Sequence, residues 1–251
     1  SSASYAGIDV DMAAALADQL GLKLELVDVA GNASSALADG DVDIVMSQTS
    51  TEKSSTMWVS DPYIETGVAL FASNGSTTVP ESVQASSIAA QSSSTSAWAV
   101  QNAFGDDALN PASDLVSAFS LVETGKSQYV AADAVIGSYA ALVQSVDVQP
   151  IALLGSKGGY CIGVNSSNQE LQKAISAALT AVRGNGVFDA VCMKWLGSPM
   201  NLDALSTIEV SSSKSVSAGD DSDEKSAEGG SAETASSSTA GANAVQPGST
   251  R

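Results

Sequence analysis

Two polar segments stand where a backbone can present them to a ligand. Ser47-Gln48-Thr49-Ser50-Thr51 follows Val42-Asp43-Ile44-Val45-Met46, an apolar run that reads as a buried strand, so its hydroxyls and amide are delivered at the strand's carboxyl end. In open α/β sheets that edge is where ligands bind. Lys53, just beyond, adds a cation at the same edge. The second segment, Ser92-Ser93-Ser94-Thr95-Ser96, follows a strand expected over Ser87 to Gln91 and precedes a helical stretch containing Trp98. Free N–H groups and the positive end of a helix at that turn can hold a carboxylate. The chemistry on offer is hydrogen bonding and charge, which suits binding rather than bond breaking.

Other chemistries are poorly supplied. The sequence has no His, and Cys161 and Cys192 are widely spaced. The ligands most used for zinc and other transition metals are therefore absent, so no metal and no cofactor is expected, and Ser-His and Cys-His nucleophile pairs go with them. Asp43 and Asp133 sit at expected strand starts, where caps or solvent contacts account for them without a shared catalytic geometry. The cysteines can form a disulfide, worth roughly 3 kcal/mol on the chain-entropy model, or remain two buried thiols, and their number leaves both open. With a net charge of −18 and only ten Lys and Arg, the counterion-release term for nucleic acid is nearly absent, so nucleic acid is not an expected partner.

The elements that must carry the polar segments follow from periodicity. Asp9 or Asp11 is placed to cap a helix with Met12, Leu16 and Leu20 on one face; Gly21 ends it, and Leu22 to Val29 reads as a strand. Ser34 to Asp39 reads as a short helix closed by Gly40. Helix Asp114 to Glu123, strand Ala132 to Ile136, helix Ser138 to Gln144, strand Val148 to Leu153 and strand Tyr160 to Val164 come next. Ser167-Asn168-Gln169-Glu170 has the form of a capping box for a helix using Leu171, Ile175, Leu179 and Val182, and a last helix, Val187 to Leu196, stops at Gly197. Trp195, with Phe188 and Val191 at helical spacing, is assigned to packing, as are Trp58 and Trp98. Strands alternating with helices favour βα units and parallel sheets. From about Ser211 the composition turns to Ser, Ala, Gly, Thr, Glu and Asp, which cannot bury enough surface to order itself, and Asp220 to Glu224 reads as part of a solvated spacer. No apolar run approaches the roughly 20 residues that span a bilayer. No basic and then apolar leader opens the chain, so any signal peptide is expected to have been removed.

Four motifs, Gly7-Ile8-Asp9-Val10-Asp11-Met12-Ala13, Gly40-Asp41-Val42-Asp43, Ser60-Asp61-Pro62-Tyr63 and Lys194-Trp195-Leu196-Gly197, resemble in order and spacing those of the family-3 extracellular solute-binding proteins, which carry polar amino acids to ABC permeases. The resemblance implies an α/β, two-lobed periplasmic-binding-protein type 2 fold, each lobe a mostly parallel sheet flanked by helices, with two crossover strands that let the lobes close on ligand. It implies that lobe one comprises residues 1–82 and 158–202 and that lobe two comprises 83–157, which leaves 203–251, from its composition, as a disordered acidic tail. The expected protein is an extracytoplasmic monomer, periplasmic or at the cell surface, with a lipid anchor on the precursor as one form of it. Its expected partners are a small polar ligand, an amino acid or analogue, and an ABC permease.

By this resemblance the ligand is touched by Ser47, Gln48, Thr49, Thr51 and Lys53 from lobe one and by Ser92, Ser93, Ser94, Thr95 and Ser138 from lobe two. Lys53 matches the family's Arg, keeping the charge without the bidentate fork that grips a carboxylate. Ser138 falls where the family has an Asp for the ligand's ammonium, and a neutral hydroxyl forgoes an ion pair worth about 1.5–3 kcal/mol when desolvated. The family's opening strand has no counterpart before Gly7, so lobe one is expected to lack it, with Tyr5 the nearest aromatic. A binding protein without enzymatic activity is the leading expectation. The same fold also serves prephenate and arogenate dehydratases and ligand-sensing receptor domains, which are the alternatives.

Overall fold

The computed structural model of the chain describes residues 5–210. Helix α1 (Ile8–Leu20) buries Met12 and Leu16 and ends at Gly21, whose φ of 66° is the left-handed conformation that glycine adopts without a Cβ clash. Its N-cap is Gly7, with no side-chain cap bond. The cap expected from Asp9 or Asp11 is not made, because both carboxylates reach other elements instead. After α1, Leu22 to Val29 joins no sheet, and Leu22, Leu26 and Val27 are exposed. Its apolar alternation suits a strand, but none of the described strands pairs with it, and a strand exists only through its ladder.

Helix α2 (Ala33–Asp39) leads to strands β1 (Ile44–Gln48), β2 (Met57–Val59) and β3 (Ile64–Thr66). All three pair antiparallel with one long strand, β9 (Gly158–Asn165), contributed from much later in the chain. The first sheet is thus antiparallel among the described residues, and the expected parallel arrangement does not hold there, since the return strand β9 is the common partner. Helices α6 (Gln169–Gly184) and α7 (Val187–Leu196) pack with α1 over this sheet, burying Tyr63, Ile64, Ile162, Val164, Ile175, Leu179 and Cys192 in one cluster. Asn168, rather than Ser167, caps α6 by accepting from the Leu171 amide.

The second sheet has the order β10-β8-β4-β7-β5-β6. Its strands are β4 (Val68–Ser73), β5 (Ile88–Gln91), β6 (Leu109–Ala112), β7 (Tyr129–Asp133), β8 (Val148–Leu154) and β10 (Ser206–Ile208). Helices α3 (Thr95–Phe104), α4 (Leu115–Glu123) and α5 (Ala134–Gln144) flank it. Pairing is mixed: β10 with β8, β7 with β5 and β5 with β6 are parallel, and β4 runs antiparallel to both neighbours. Ala69 to Ala72 are all buried, the signature of a strand covered on both faces. On one face Phe71 meets Phe119 edge-on at 6.0 Å, and on the other Leu70 packs with Ile88 and Val100. Trp98, assigned to packing from its place on α3, is instead 54% exposed.

Three boundaries differ from expectation. Because β4 belongs to the second sheet, the first passage between sheets falls at Gly67 and not at residue 82. After α7 the chain does not stay with the first sheet up to residue 202. Leu202 is buried in the second sheet's cluster, and β10 pairs with β8, so residues 203–210, assigned to the disordered tail, hold defined structure. Leu205 and Ile208 within that stretch, with Leu202 just before it, supply the burial that the later composition lacks. Residues 211–251, including Asp220 to Glu224, lie outside the described residues. The strand expected over Ala132 to Ile136 ends earlier, at Asp133, whose carboxylate starts α5 four residues before the expected Ser138.

Candidate ligand site

The two sheets meet at the crossing strands β3 and β9, where Tyr63 N–H donates to Tyr160 O at 2.8 Å. Around this crossing the sequence has gathered polar groups that were far apart. Asp9, on the first turn of α1, accepts from the Tyr63 hydroxyl at 2.5 Å through Oδ1 and from the Ser47 hydroxyl at 2.5 Å through Oδ2. Tyr63 is fully buried, and burial first, then the Asp9 carboxylate, holds its phenol well above the ordinary tyrosine range. On the second sheet's side, Asp133 caps α5, its Oδ1 accepting from Val135 N–H and Ile136 N–H at 3.0 Å each and its Oδ2 from Thr66 Oγ1 at 2.7 Å. Burial raises the Asp133 pKa, while the bonds from Ile136, Thr66 and Val135 oppose the shift. Tyr160 feels both carboxylates: burial, then Asp133, then Asp9, push its phenol up to about 12. The crossing is therefore an electronegative floor, with one carboxylate contributed from each side.

Ser47 lies in an irregularity of β1. Val45 pairs with Gly163 and Gln48 with Cys161, so β1 carries one residue more than β9 between these pairs, and Ser47 adopts φ 61°. A bulge of this kind re-aims a side chain, and here it turns the Ser47 hydroxyl onto Asp9. Gln48 is 8% exposed and donates to Met46 O at 2.9 Å. Thr49 caps a 3-10 turn over Ser50–Glu52, with Glu52 returning a bond to the Thr49 amide, and Thr49 Oγ1 and Thr51 Oγ1 are 2.8 Å apart. Lys53 ends that turn, exposed, with no hydrogen-bond or ion-pair partner among the described residues. A cavity of about 310 Å³ opens beside this loop, lined by Asn32, Ser34, Ser35, Gln48, Glu52 and Met57 among others. So the expected loop is a single built unit at the carboxyl end of β1.

The residues expected from the second lobe are held less as a site. Ser92 donates through both its amide and its hydroxyl to Ala112 O, at 2.9 and 3.0 Å. Ser93 sits at φ 58°, Ser94 caps α3 by accepting from Ala97 N–H at 3.1 Å, and Thr95 opens the helix exposed. The turn is thus the helix start expected, with much of its hydroxyl capacity spent locally. Ser138 is 6% exposed and its hydroxyl faces Met200 Sδ at 3.9 Å. None of the four turn residues, nor Ser138, borders the cavity beside Gln48.

Asp133 caps α5, as the cap reading of it allowed, but its bond from Thr66 and the meeting of Asp9 with Ser47 and Tyr63 were not foreseen, because these partners are distant in sequence. The cue available was the pair of carboxylates in Gly7-Ile8-Asp9-Val10-Asp11, which cannot both cap one helix. Asp11 proves to be structural: it accepts from Lys194 Nζ and Trp195 Nε1, each at 2.6 Å, and Lys194 holds its carboxyl below the usual range. Cys161 and Cys192 are both buried free thiols, so the disulfide alternative is not realised. Cys192 packs inside the helix cluster, whereas Cys161 Sγ approaches Gly159 O at 3.7 Å, and burial pushes both thiols up.

Comparison with known proteins fits this arrangement. Among solved structures, the polar amino acid ABC uptake transporter substrate binding protein from Streptococcus thermophilus is 20% identical, with 80% of this chain and 81% of that one covered and a TM-score of 0.68. The L-cystine solute receptor of Neisseria gonorrhoeae, in its unliganded open conformation, is 22% identical, with 77% and 84% covered and a TM-score of 0.66. The B. pertussis BvgS periplasmic domain is 23% identical, with 80% of this chain but 41% of that one covered and a TM-score of 0.61. These likenesses speak for the fold. Among curated proteins, none matches the sequence. The model of the bacterial extracellular solute-binding proteins, family 3, matches residues 1–198. The chain belongs to that family.

Proposed function

We propose that the protein is the extracytoplasmic binding component of an ABC importer, taking a small polar ligand, an amino acid or close analogue, between its two sheets and performing no chemistry on it. The observation that carries this is the crossing itself. Asp9 with Ser47 stands on one side and Asp133 on the other, and the Ser47–Lys53 loop sits at the carboxyl end of β1. Such a floor can contact one ligand from both sides, and a ligand that contacts both sides better when they are close shifts the population toward the closed form. Two neighbours whose names carry an amino acid role, the cystine receptor and the polar amino acid binding protein, support the ligand class. The closed form would then dock on the permease. No helix among the described residues is long and apolar enough to cross a membrane.

The absence of enzymatic activity is part of the proposal: the polar groups at the crossing are tied to each other and to backbone amides. A thermal-shift screen against the common L-amino acids, cystine, small amines, dipeptides and carboxylates, followed by calorimetry on hits, tests it. A saturable shift with at least one of them is expected. Silence across the whole panel would overturn the binding role, and turnover of prephenate or arogenate would replace it with an enzyme.

A further inference from the structure

Helix α5 is apolar on two faces that serve different neighbours. Ala134, Gly137 and Ala141 lie against the second sheet, where a Cβ at Gly137 would stand 2.6 Å from the Phe71 ring. Small residues there let the helix seat closely on its own strands. Val135, Ser138, Tyr139 and Leu142, at i, i+3, i+4 and i+7, share another face. That face is turned onto α7 and the chain just after it. Val135 is buried in the first sheet's cluster with Val191, Cys192 and Leu196 of α7, and Ser138 Oγ meets Met200 Sδ at 3.9 Å. The Tyr139 ring lies 6.3 Å from that of Trp195, whose Nε1–H is held by Asp11. Leu142 covers Gly197, where a Cβ would come within 3.2 Å of Leu142 Cδ1, and Met200 packs against both clusters. The two sheets are therefore joined by side chains between α5 and α7 as well as by backbone.

This contact is graded along the helix. Its inner end adjoins the crossing, where Val135 N–H donates to Thr66 Oγ1 at 3.3 Å and Val135 is 6% exposed. Its outer end, about 10 Å further along at the helical rise, is half covered, with Tyr139 46% and Leu142 44% exposed. A rotation of one sheet against the other about the crossing displaces the outer end most, because displacement grows with distance from the pivot. So thinly covered a contact can part without opening either core.

Resting on the solute-binding function above, we propose that the Tyr139–Trp195 and Leu142–Gly197 contacts form a brace that holds the two sheets at their present angle and opposes the rotation by which they close on ligand. Tyr139 and Leu142 are positioning residues, acting through the angle between the sheets and not on the ligand. Contacts made only before closure lower the fraction of molecules able to close, and apparent affinity falls by that fraction. Removing the brace tightens binding, the opposite of what loss of a contact residue does.

The whole chain carrying Tyr139→Ala and Leu142→Ala, singly and together, tests this, since alanine keeps the helix propensity of α5. Isothermal titration calorimetry uses L-cystine, L-glutamine, L-lysine and L-glutamate as probes. Whichever binds the unaltered protein is expected to bind the double variant about threefold or more tighter, with cooperative unfolding kept. Spin labels at Lys173→Cys on α6 and Ser120→Cys on α4, both exposed while the native thiols are buried, report the distance between the two sides without ligand. That distance distribution is expected to broaden in the double variant. Should the double variant fail to fold, Leu142→Ala decides by the same two measurements. Affinity unchanged or weakened overturns the brace, and so does an unaltered distance distribution. If no probe binds the unaltered protein, the label distances decide the brace alone, whereas silence across the wider panel overturns the solute-binding function and leaves the distance result standing.

Discussion

Lys157 Nζ stands 2.9 Å from Glu65 Oε2, and the same ammonium donates to Asp203 Oδ1. These three residues lie on three different passages between the sheets: Glu65 on β3 just before Gly67, Lys157 just before β9, and Asp203 on the segment that returns from α7 to β10. One cation thus ties all three connections between the sheets, and Asp203 first, then Glu65, hold its ammonium above the usual lysine range.

Replacing Lys157 by Met should cost little stability. The three side chains are 33%, 35% and 78% exposed, and exposed ion pairs are worth about 0.2–1 kcal/mol each because water screens them. Urea unfolding is expected to show a small fall in midpoint with an unchanged slope. A loss of several kcal/mol would show that the junction is desolvated in solution.

Gly159→Ala should be more damaging than its size suggests. A Cβ at Gly159 would stand 2.5 Å from Pro62 Cβ and 2.6 Å from Ile64 O, and the second of these is backbone in the crossing strand. Overpacking that must move backbone costs about 1–3 kcal/mol. Thermal denaturation beside Gly158→Ala, where nothing lies within 4 Å, separates crowding from loss of glycine.

Asp133→Ala removes the cap of α5 and leaves Thr66 without its acceptor. A loss of about 0.5–2 kcal/mol is expected from the cap alone. The pH dependence runs in the less common direction. Because the folded-state pKa is raised, the native protein binds the proton more tightly, so this group's destabilising effect is relieved as pH falls through the folded value and is fully present above it. Asp133→Asn should therefore flatten stability against pH above 3.8, read from unfolding temperatures between pH 4 and 7.

Asp11 works the opposite way. Its folded pKa is lowered by Lys194 and Trp195, so its contribution is present above the unfolded value of 3.8 and is lost as pH falls through the folded value. Asp11→Asn is expected to lose stability at neutral pH and to show a shallower decline below pH 3.8 than the unaltered protein.

Lys53→Ala should weaken a ligand that carries a carboxylate by tenfold or more, about 1.4 kcal/mol, and leave a diamine unaffected or improved. Equal affinity for L-lysine before and after the change would place Lys53 outside the site. Fold stability should not move, since Lys53 is exposed and free of partners among the described residues.

Local patterns carried much of this protein. Met12 and Leu16 on one face of α1, the stop at Gly21, the cap at Asp114, and Ile175, Leu179 and Val182 along α6 are all set by residues within a turn or two of one another, and periodicity reads them directly. The polar loop after β1 and the turn before α3 were legible for the same reason. Pairing was not. Leu22 to Val29 has a strand's alternation and no ladder, while Ser206–Ile208, three residues with no such pattern, becomes a strand because β8 offers an edge.

The site divides in the same way. By itself the sequence determined a polar segment at a strand's carboxyl end, a cation at Lys53, the absence of His, and four motifs that together point to one family. Only the tertiary structure decided that Asp9 meets Ser47 and Tyr63, that Asp133 meets Thr66, that Ser138 is turned to Met200, and that the chain crosses between the sheets a third time. Helix caps and apolar faces are governed by neighbours in sequence. A carboxylate chooses its partners among whatever donors the fold brings within 3 Å, and spacing along the chain carries no record of that choice.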